Sequence, residues 1–284
     1  MGWVRRLFGR RTEPRSVVGR SVVITGAASG IGLATAWRFA RDGARVALLD
    51  LNDAALEQAR AAFAAQGHDV LALRCDVCDE DSCRAAIGAV IDAWGGVDVL
   101  VNNAGMSHRS LFESTDSKVI HRVMAVNFFG AVHCTQAALS SLIERHGSVV
   151  AISSVAGFAP LVGRTGYSAS KHALHGFYDS LRAELTHRDV HVMLVCPSYV
   201  DTAIDARALG GDGAPAGKTK TVVGRLATPE SVAEAIAEGV ARRRRLVVLS
   251  LVGRSAFWLS RLAPSVYERV MLDKQGPELG VPRA

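Results

Sequence analysis

The segment Thr25-Gly-Ala-Ala-Ser-Gly-Ile-Gly32 follows a short apolar run and opens a helical pattern, and the chemistry it suggests is anion binding. Gly26 permits a tight turn, Gly30 lets backbone approach a pyrophosphate, and Gly32 lets helix and strand pack closely. The free N–H groups of the helix N-terminus and the positive end of its dipole complete the attraction. The spacing is GxxxGxG rather than GxGxxG, and a purely structural glycine turn is the alternative. Asp50 lies 18 residues beyond Gly32 at the end of the next apolar run, near the spacing at which an acid meets the hydroxyls of an adenosine ribose. A carboxylate there repels a 2′-phosphate. Position 29 is Ser and position 51 is Leu, neither of which would receive that phosphate, so NAD is expected over NADP. A helix cap is the alternative role for Asp50.

Tyr167 and Lys171 stand four residues apart at the start of another helical pattern, on one helix face and one turn apart. Ser153 and Ser154 end the preceding apolar run, at the carboxyl edge where open α/β sheets bind ligands. Asn127 interrupts the apolar helical stretch Val123-Met-Ala-Val-Asn-Phe-Phe, where a buried amide needs partners. A satisfied structural Asn is the other reading of that position.

The elements that must position these groups alternate along the chain. Ser21–Thr25, Arg45–Asp50, Val70–Cys75, Val97–Asn102, Ser148–Ser153 and Val192–Pro197 read as short strands apolar throughout. Ile31–Arg41, Ala54–Ala65, Asp81–Trp94 and Pro229–Arg243 read as helices, with apolar spacing near 3.6. Strands apolar on both faces imply a parallel sheet covered on both sides, hence an α/β doubly wound Rossmann fold of about seven strands, with Leu246–Leu249 as the edge. Three regions are expected: a basic flexible arm at 1–18, a catalytic domain at 19–250 with a mobile substrate loop at 203–227, and a C-terminal extension at 251–284 near the substrate site. The loop shows five Gly and no convergent polar groups.

At 284 residues and 49% apolar composition, one large core is expected and wholesale disorder is excluded. The net charge of +6 is concentrated: residues 1–20 hold six Arg against Glu13. The nearly neutral body argues against nucleic acid as a partner. Cys75, Cys78 and Cys83 lack further partners at ligand spacing, so no metal is expected, and Cys75 reads as a buried strand residue. The five cysteines fit a reducing cytoplasm. Neither a secretory signal nor a spanning helix is expected. The arm, with Trp3 and Phe8, and the Arg242–Arg261 segment could contact an anionic membrane peripherally; a solvated helix end and core-capping tail is the alternative.

Thr25–Gly32, Asp76-Val77, Asn102-Asn-Ala-Gly105, Asn127, Ser154, Tyr167/Lys171 and Pro197 occur in the order of the short-chain dehydrogenase/reductase family. The chain resembles that family closely over residues 18–202 and loosely elsewhere. The resemblance implies a catalytic tetrad of Asn127, Ser154, Tyr167 and Lys171. It implies NAD contacts from Gly26, Ser29, Gly30, Ile31, Gly32 and Asp50, with Asp76 and Val77 flanking the adenine. Asn103, Ala104 and Gly105 would line the cofactor cleft. Tyr167, Lys171, Pro197, Val200 and Thr202 would lie against the nicotinamide half, and Thr202 resembles the carboxamide contact. On this reading Tyr167 exchanges the substrate proton, which requires its pKa to fall by roughly 3 units from 10. Lys171 would supply the charge, Ser154 would bind the substrate oxygen, and Asn127 would hold a water of a proton relay. Ser198 replaces the family's usual Gly after Pro197, which leaves the local loop path open.

Phe158, Leu161, Val162 and Tyr199 follow strand ends on the expected substrate side and suggest an apolar pocket. The expected function is an NAD-dependent oxidoreductase interconverting a hydrophobic secondary alcohol and its ketone. The alternatives are an NADPH-dependent 3-oxoacyl carrier reductase and a non-catalytic dinucleotide sensor or scaffold. The resemblance also implies a homodimer or homotetramer built through helices around 118–145 and 166–186.

Overall fold

A computed structural model describes residues 14–217, 222 and 225–282. The sequence's seven apolar runs become β1 Ser21–Thr25, β2 Arg45–Asp50, β3 Val70–Arg74, β4 Val99–Asn102, β5 Ser148–Ile152, β6 His191–Cys196 and β7 Leu246–Val248. They form one sheet in the order β3-β2-β1-β4-β5-β6-β7, every pair parallel. The order reverses between β1 and β4, so the chain wraps helices onto both faces and leaves a crevice beyond the strand ends at that point.

The helices are α1 Gly30–Arg41, α2 Asp53–Ala65, α3 Glu80–Trp94, α4 Ser117–Met124, α5 Gly130–Glu144, α6 Thr165–Leu185, α7 Pro229–Ala241, α8 Leu251–Leu262 and α9 Pro264–Gln275. One sheet face packs Phe39 of α1, Phe63 of α2 and Ile236 of α7 against Val22, Ile24 and Leu48. The other packs Ile87 of α3, Leu142 of α5 and Leu174 and Tyr178 of α6 against Val23, Leu100 and Leu194. Alternate strand residues serve opposite faces, which is why these strands are apolar without a break.

Boundaries move by a residue or two where hydrogen bonding decides them. β6 stops at Cys196 because Pro197 has no N–H to extend the ladder. α7 ends at Ala241, two residues before the expected Arg243, because Arg243 takes φ +49° and the Arg244 N–H closes the helix on the Gly239 carbonyl.

Three expected regions take the following form. Of the expected loose arm, residues 14–18 lie against the body: the Arg15 N–H donates to the Ala241 carbonyl and its guanidinium reaches Asp189 at 3.1 Å. Its remainder, with Trp3, Phe8 and four of its arginines, lies outside the described residues. The described part of the loop 203–227 is hydrogen-bonded to the body at Leu209. Leu209 is buried, its N–H donates to Ser107 O, and it accepts from the Arg109 N–H. The rest of that loop includes 218–221, 223 and 224, outside the described residues. Last, the C-terminal extension is two helices. Tyr267 and Met271 of α9 close with Phe158, Ala159 and Cys196 into a third apolar cluster.

Candidate active site

A cavity of about 600 Å³ runs along the carboxyl edge of the sheet, from the β1–α1 turn to the inner sides of α8 and α9. Gly26, Ser29, Gly30, Ile31, Asp50, Asp76, Val77, Asn103, Ala104, Gly105, Pro197, Val200 and Thr202 all line it, and so do Ser154, Tyr167 and Lys171.

The glycine turn is built for close approach. Gly26 and Gly30 take φ of +62° and +53°, the left-handed region that a side chain disfavours. A Cβ on Gly32 would stand 2.2 Å from the Gly26 carbonyl oxygen, so any side chain there would force α1 off β1. Gly32 therefore shapes the turn from beneath and does not line the cavity. The N-cap Ser29 makes no side-chain cap, which leaves the first turn of α1 open to an incoming anion. Asn103 fastens the turn to the end of β4: its Nδ2 donates to Thr25 O at 2.9 Å and Gly26 O at 3.1 Å. Asp50 receives the Ala28 N–H on Oδ2 at 3.0 Å and the Asn52 N–H on Oδ1 at 3.1 Å. Its carboxylate is thereby fixed at the cavity wall with lone pairs to spare for ribose hydroxyls. Turn, helix end and carboxylate fit a dinucleotide.

The proton-handling end is fixed by α6. Lys171 is buried, and its Nζ donates to the Ile152 carbonyl at 2.8 Å and sits 5.7 Å from the centre of the Tyr167 ring. Burial lowers the Lys171 pKa from 10.5 to about 8. Burial pushes the Tyr167 phenol up, opposed by its hydrogen bond with Ser154 and by the charge of Arg164. The lowering expected for Tyr167 from the charge of Lys171 is thus absent from the protein alone. Ser154 follows the end of β5 by two residues in extended backbone, and its Oγ accepts from the Ala156 N–H at 3.2 Å.

Asn127 does not line the cavity. It lies in the π-helical turn Ala125–Phe129 that joins α4 to α5. Its Oδ1 accepts from the Met106 N–H, and its Nδ2 donates to Met106 O and to Ser170 Oγ. Both side-chain donors are spent, so the amide cannot donate to a relay water.

On the substrate side Leu161 and Tyr199 reach the cavity, whereas Phe158 and Val162 do not. Phe158 is buried beneath α8, edge-on to Phe257 with ring centres 5.1 Å apart, because α8 covers the chain that follows β5. Val162 packs at the same cluster, and its N–H donates to Gln275 at 3.2 Å. Ser198 is not among the described non-Gly residues with positive φ, so replacing the family's Gly costs no strain.

Sequence reasoning missed Arg164, buried in the cavity wall beside Tyr167. Its guanidinium donates to Ser107 Oγ at 2.9 Å and lies 3.7 Å from Asp205. Asp205 and Arg207 reach the cavity from the loop thought to lack convergent polar groups. The pattern Arg-Thr-Gly-Tyr gave a signal, since an Arg three residues before Tyr167 stands at the N-cap of α6, within reach of the same site. Also missed was the clustering of Cys75 with Cys83 and Cys134: Cys75 is buried just past β3 and lines the cavity, while the Cys83 and Cys134 sulfurs approach to 3.5 Å. No group of three or more His, Cys, Asp or Glu among the described residues could hold a metal ion.

The doubly wound sheet, the open glycine turn and the Ser154–Tyr167–Lys171 set define a dinucleotide-dependent oxidoreductase of the Rossmann class. The family model described as short chain dehydrogenase matches residues 20–210, and the chain belongs to that family. It is 39% identical over 280 residues to an Anopheles gambiae protein named dehydrogenase/reductase SDR family protein 7-like, covering 95% of this chain and 88% of that one. It is 37% identical over 265 residues to the Bos taurus dehydrogenase/reductase SDR family member 7B, covering 90% of this chain and 82% of the relative. A crystal structure of a short chain dehydrogenase/reductase from Burkholderia phymatum in complex with NAD superposes with a TM-score of 0.75 at 25% identity, over 95% of this chain and 98% of that one. An alcohol dehydrogenase from Thermococcus sibiricus complexed with 5-hydroxy-NADP gives 0.70 at 28% identity, over 82% and 95%. Solved neighbours thus carry both forms of the cofactor.

Proposed function

We propose that the protein is an NAD-preferring oxidoreductase that interconverts a hydrophobic secondary alcohol and its ketone. The observation that carries this is one continuous cavity with the Gly26–Gly30 turn and Asp50 at one end and Ser154, Tyr167 and Lys171 at the other. A bound nicotinamide dinucleotide supplies the hydride acceptor or donor. Ser154 donates a hydrogen bond to the substrate oxygen, and Tyr167 takes its proton on oxidation or returns it on reduction. Lys171 holds its charge against Tyr167 and the nicotinamide ribose, and Asn127 braces the loop and helix between which the substrate reacts. NAD preference follows from Asp50, whose carboxylate would repel a 2′-phosphate.

The walls contributed by Leu161, Val252, Ala256 and Met271 are apolar, and Arg164 is a cationic spot among them. They suit a ligand with an apolar body and a hydrogen-bond acceptor within reach of Arg164. Family resemblance supports a homodimer or homotetramer through α4, α5 and α6. Five free thiols support a reducing compartment such as the cytoplasm.

The test is NADH formation from NAD with a panel of hydrophobic secondary alcohols, hydroxysteroids included, run beside NADP and the Tyr167→Phe variant. Turnover that prefers NAD and vanishes in Tyr167→Phe is expected. Equal or better rates with NADP would overturn the Asp50 argument, and turnover surviving in Tyr167→Phe would overturn the mechanism.

A further inference from the structure

Thirteen large apolar side chains stand exposed among the described residues, and six of them fall between 251 and 270. They are not scattered. At about 100° per residue, Leu251, Trp258 and Leu262 share an arc of roughly 40° on α8. They are 78%, 61% and 77% exposed. Val266 and Val270, one turn apart, continue the apolar surface on α9. A helix of a soluble protein turns its apolar stripe inward. Here the inward side is apolar as well: Val252, Gly253 and Ala256 of α8, with Tyr267 and Met271 of α9, line the cavity.

Charge decides what covers the outer stripe. Residues 242–275, which span both helices, hold seven Arg and Lys274 against Glu268 and Asp273, and Arg242, Arg243 and Arg244 are already paired with Glu238 and Asp189. Arg254 and Arg261 flank the stripe on one side, are exposed, and form no ion pair among the described residues. A two-fold contact centred on α8 would set these arginines against their own counterparts, with no acid on α8 and only Glu268 and Asp273 on α9 to offset them. An anionic lipid surface meets both features together, apolar side chains entering the headgroup boundary and guanidinium groups pairing with lipid phosphates. Trp258, an apolar body with one N–H, suits that depth.

We propose that α8 and α9 form a membrane-docking surface for anionic bilayers, and that docking sets the apolar wall of the cavity at the lipid boundary so that a bilayer-dissolved substrate enters there. The second half rests on the cavity being the substrate site; the first does not.

The test is flotation of the full chain with vesicles of phosphatidylcholine alone and of phosphatidylcholine mixed with phosphatidylglycerol, across a salt series. NADH binding to every variant serves as the folding control. The wild type is expected to float with the anionic vesicles and to release as salt rises. The triple variant Leu251→Ser, Trp258→Ser, Leu262→Ser is expected to lose at least tenfold in vesicle binding while still binding NADH. The pair Arg254→Gln, Arg261→Gln is expected to bind weakly and with less salt dependence. The proposal is overturned if the wild type ignores anionic vesicles, or if the triple variant floats as well as the wild type, which would assign any binding to the N-terminal arginines. It is equally overturned if the triple variant halves the sedimenting mass, which would make the face a contact between copies. Vesicle binding is read without turnover, so its failure and the failure of the proposed reaction are separately visible.

Discussion

Asn127 and Met106 exchange two hydrogen bonds: the Met106 N–H donates to Asn127 Oδ1 at 2.8 Å, and Asn127 Nδ2 donates back to the Met106 carbonyl at 2.9 Å. The second Nδ2 hydrogen goes to Ser170 Oγ at 2.9 Å, and Ser170 donates to Tyr167 O at 2.7 Å. One amide thus locks the loop after β4, which walls the cofactor end, to the helix that carries Tyr167 and Lys171. The π-helical turn at Ala125–Phe129 places that amide between the two.

Asn127→Ala leaves the Met106 N–H and C=O without partners in a part-buried site. At about 1–3 kcal/mol for an unsatisfied buried polar group, a stability loss of about 2–4 kcal/mol is expected. Because the brace joins cofactor loop to catalytic helix, turnover at saturating cofactor should fall at least tenfold. Denaturant melts and steady-state rates check this, and a stability loss with unchanged kcat would confine Asn127 to a structural role.

Asp50→Ser removes the cavity-lining carboxylate that the proposed function sets against the cofactor ribose. The ratio of kcat/KM for NADP over NAD should rise about 10–100-fold, equivalent to about 1.4–2.8 kcal/mol. Initial rates with each cofactor measure it. An unchanged ratio would mean that another group selects the cofactor.

Lys171 is buried with a pKa near 8, against 10.5 for the exposed side chain. Between those values the unfolded chain holds a proton that the folded protein has released, so this group makes stability rise with pH from about 8 to 10.5. Below pH 8 its burial is a standing cost of roughly 3 kcal/mol, offset in part by the bond to Ile152 O. Lys171→Met should therefore abolish turnover yet raise stability by about 1–2 kcal/mol near pH 7, with the gain fading toward pH 10. Melting curves across that range decide it; a variant less stable at pH 7 would show that Lys171 is a net stabiliser.

His108, His175 and His191 are each pushed by burial from 6.5 down to about 4. As pH falls through 6.5 the unfolded chain takes up three protons that the folded protein refuses until about 4. Stability is therefore full above about pH 6.5 and lost progressively toward 4. His108 matters most for the site, because its Nδ1 accepts the Tyr167 N–H at 3.2 Å. Melting temperatures between pH 7.5 and 4.5 should drop steeply below 6.5, and a flat profile would contradict neutral burial of these rings.

Much of this is legible in the sequence. The strands Ser21–Thr25 and Arg45–Asp50 end where their apolar runs end, since a run of that length buried on both faces has no other stable use. The glycine turn was legible because Gly30 and Gly32 answer local demands, a positive φ and a contact too close for a Cβ. Phe158 and Val162 were misplaced because strand-end position says which edge a residue lies on, not what covers it, and α8 and α9 cover these two. Arg164 was overlooked because its worth depends on Ser107 and Asp205, distant in sequence. The bracing role of the Asn127 side chain was not legible because its hydrogen-bond partners, Met106 and Ser170, are brought to it only by the fold.

By itself the sequence determined what local periodicity and backbone sterics dictate: parallel strands, their helices, the turn that receives an anion, and the one-turn spacing of Tyr167 and Lys171. The tertiary structure alone decided which side chains meet. It buried Lys171 against Ile152 O, spent both donors of Asn127, and turned Leu251, Trp258 and Leu262 outward while the opposite side of α8 closed the cavity. The physical reason is range. Dihedral preference and helical spacing act over a few residues and are written in them, whereas burial, pKa and hydrogen-bond satisfaction depend on groups that only the folded chain brings within a few ångströms.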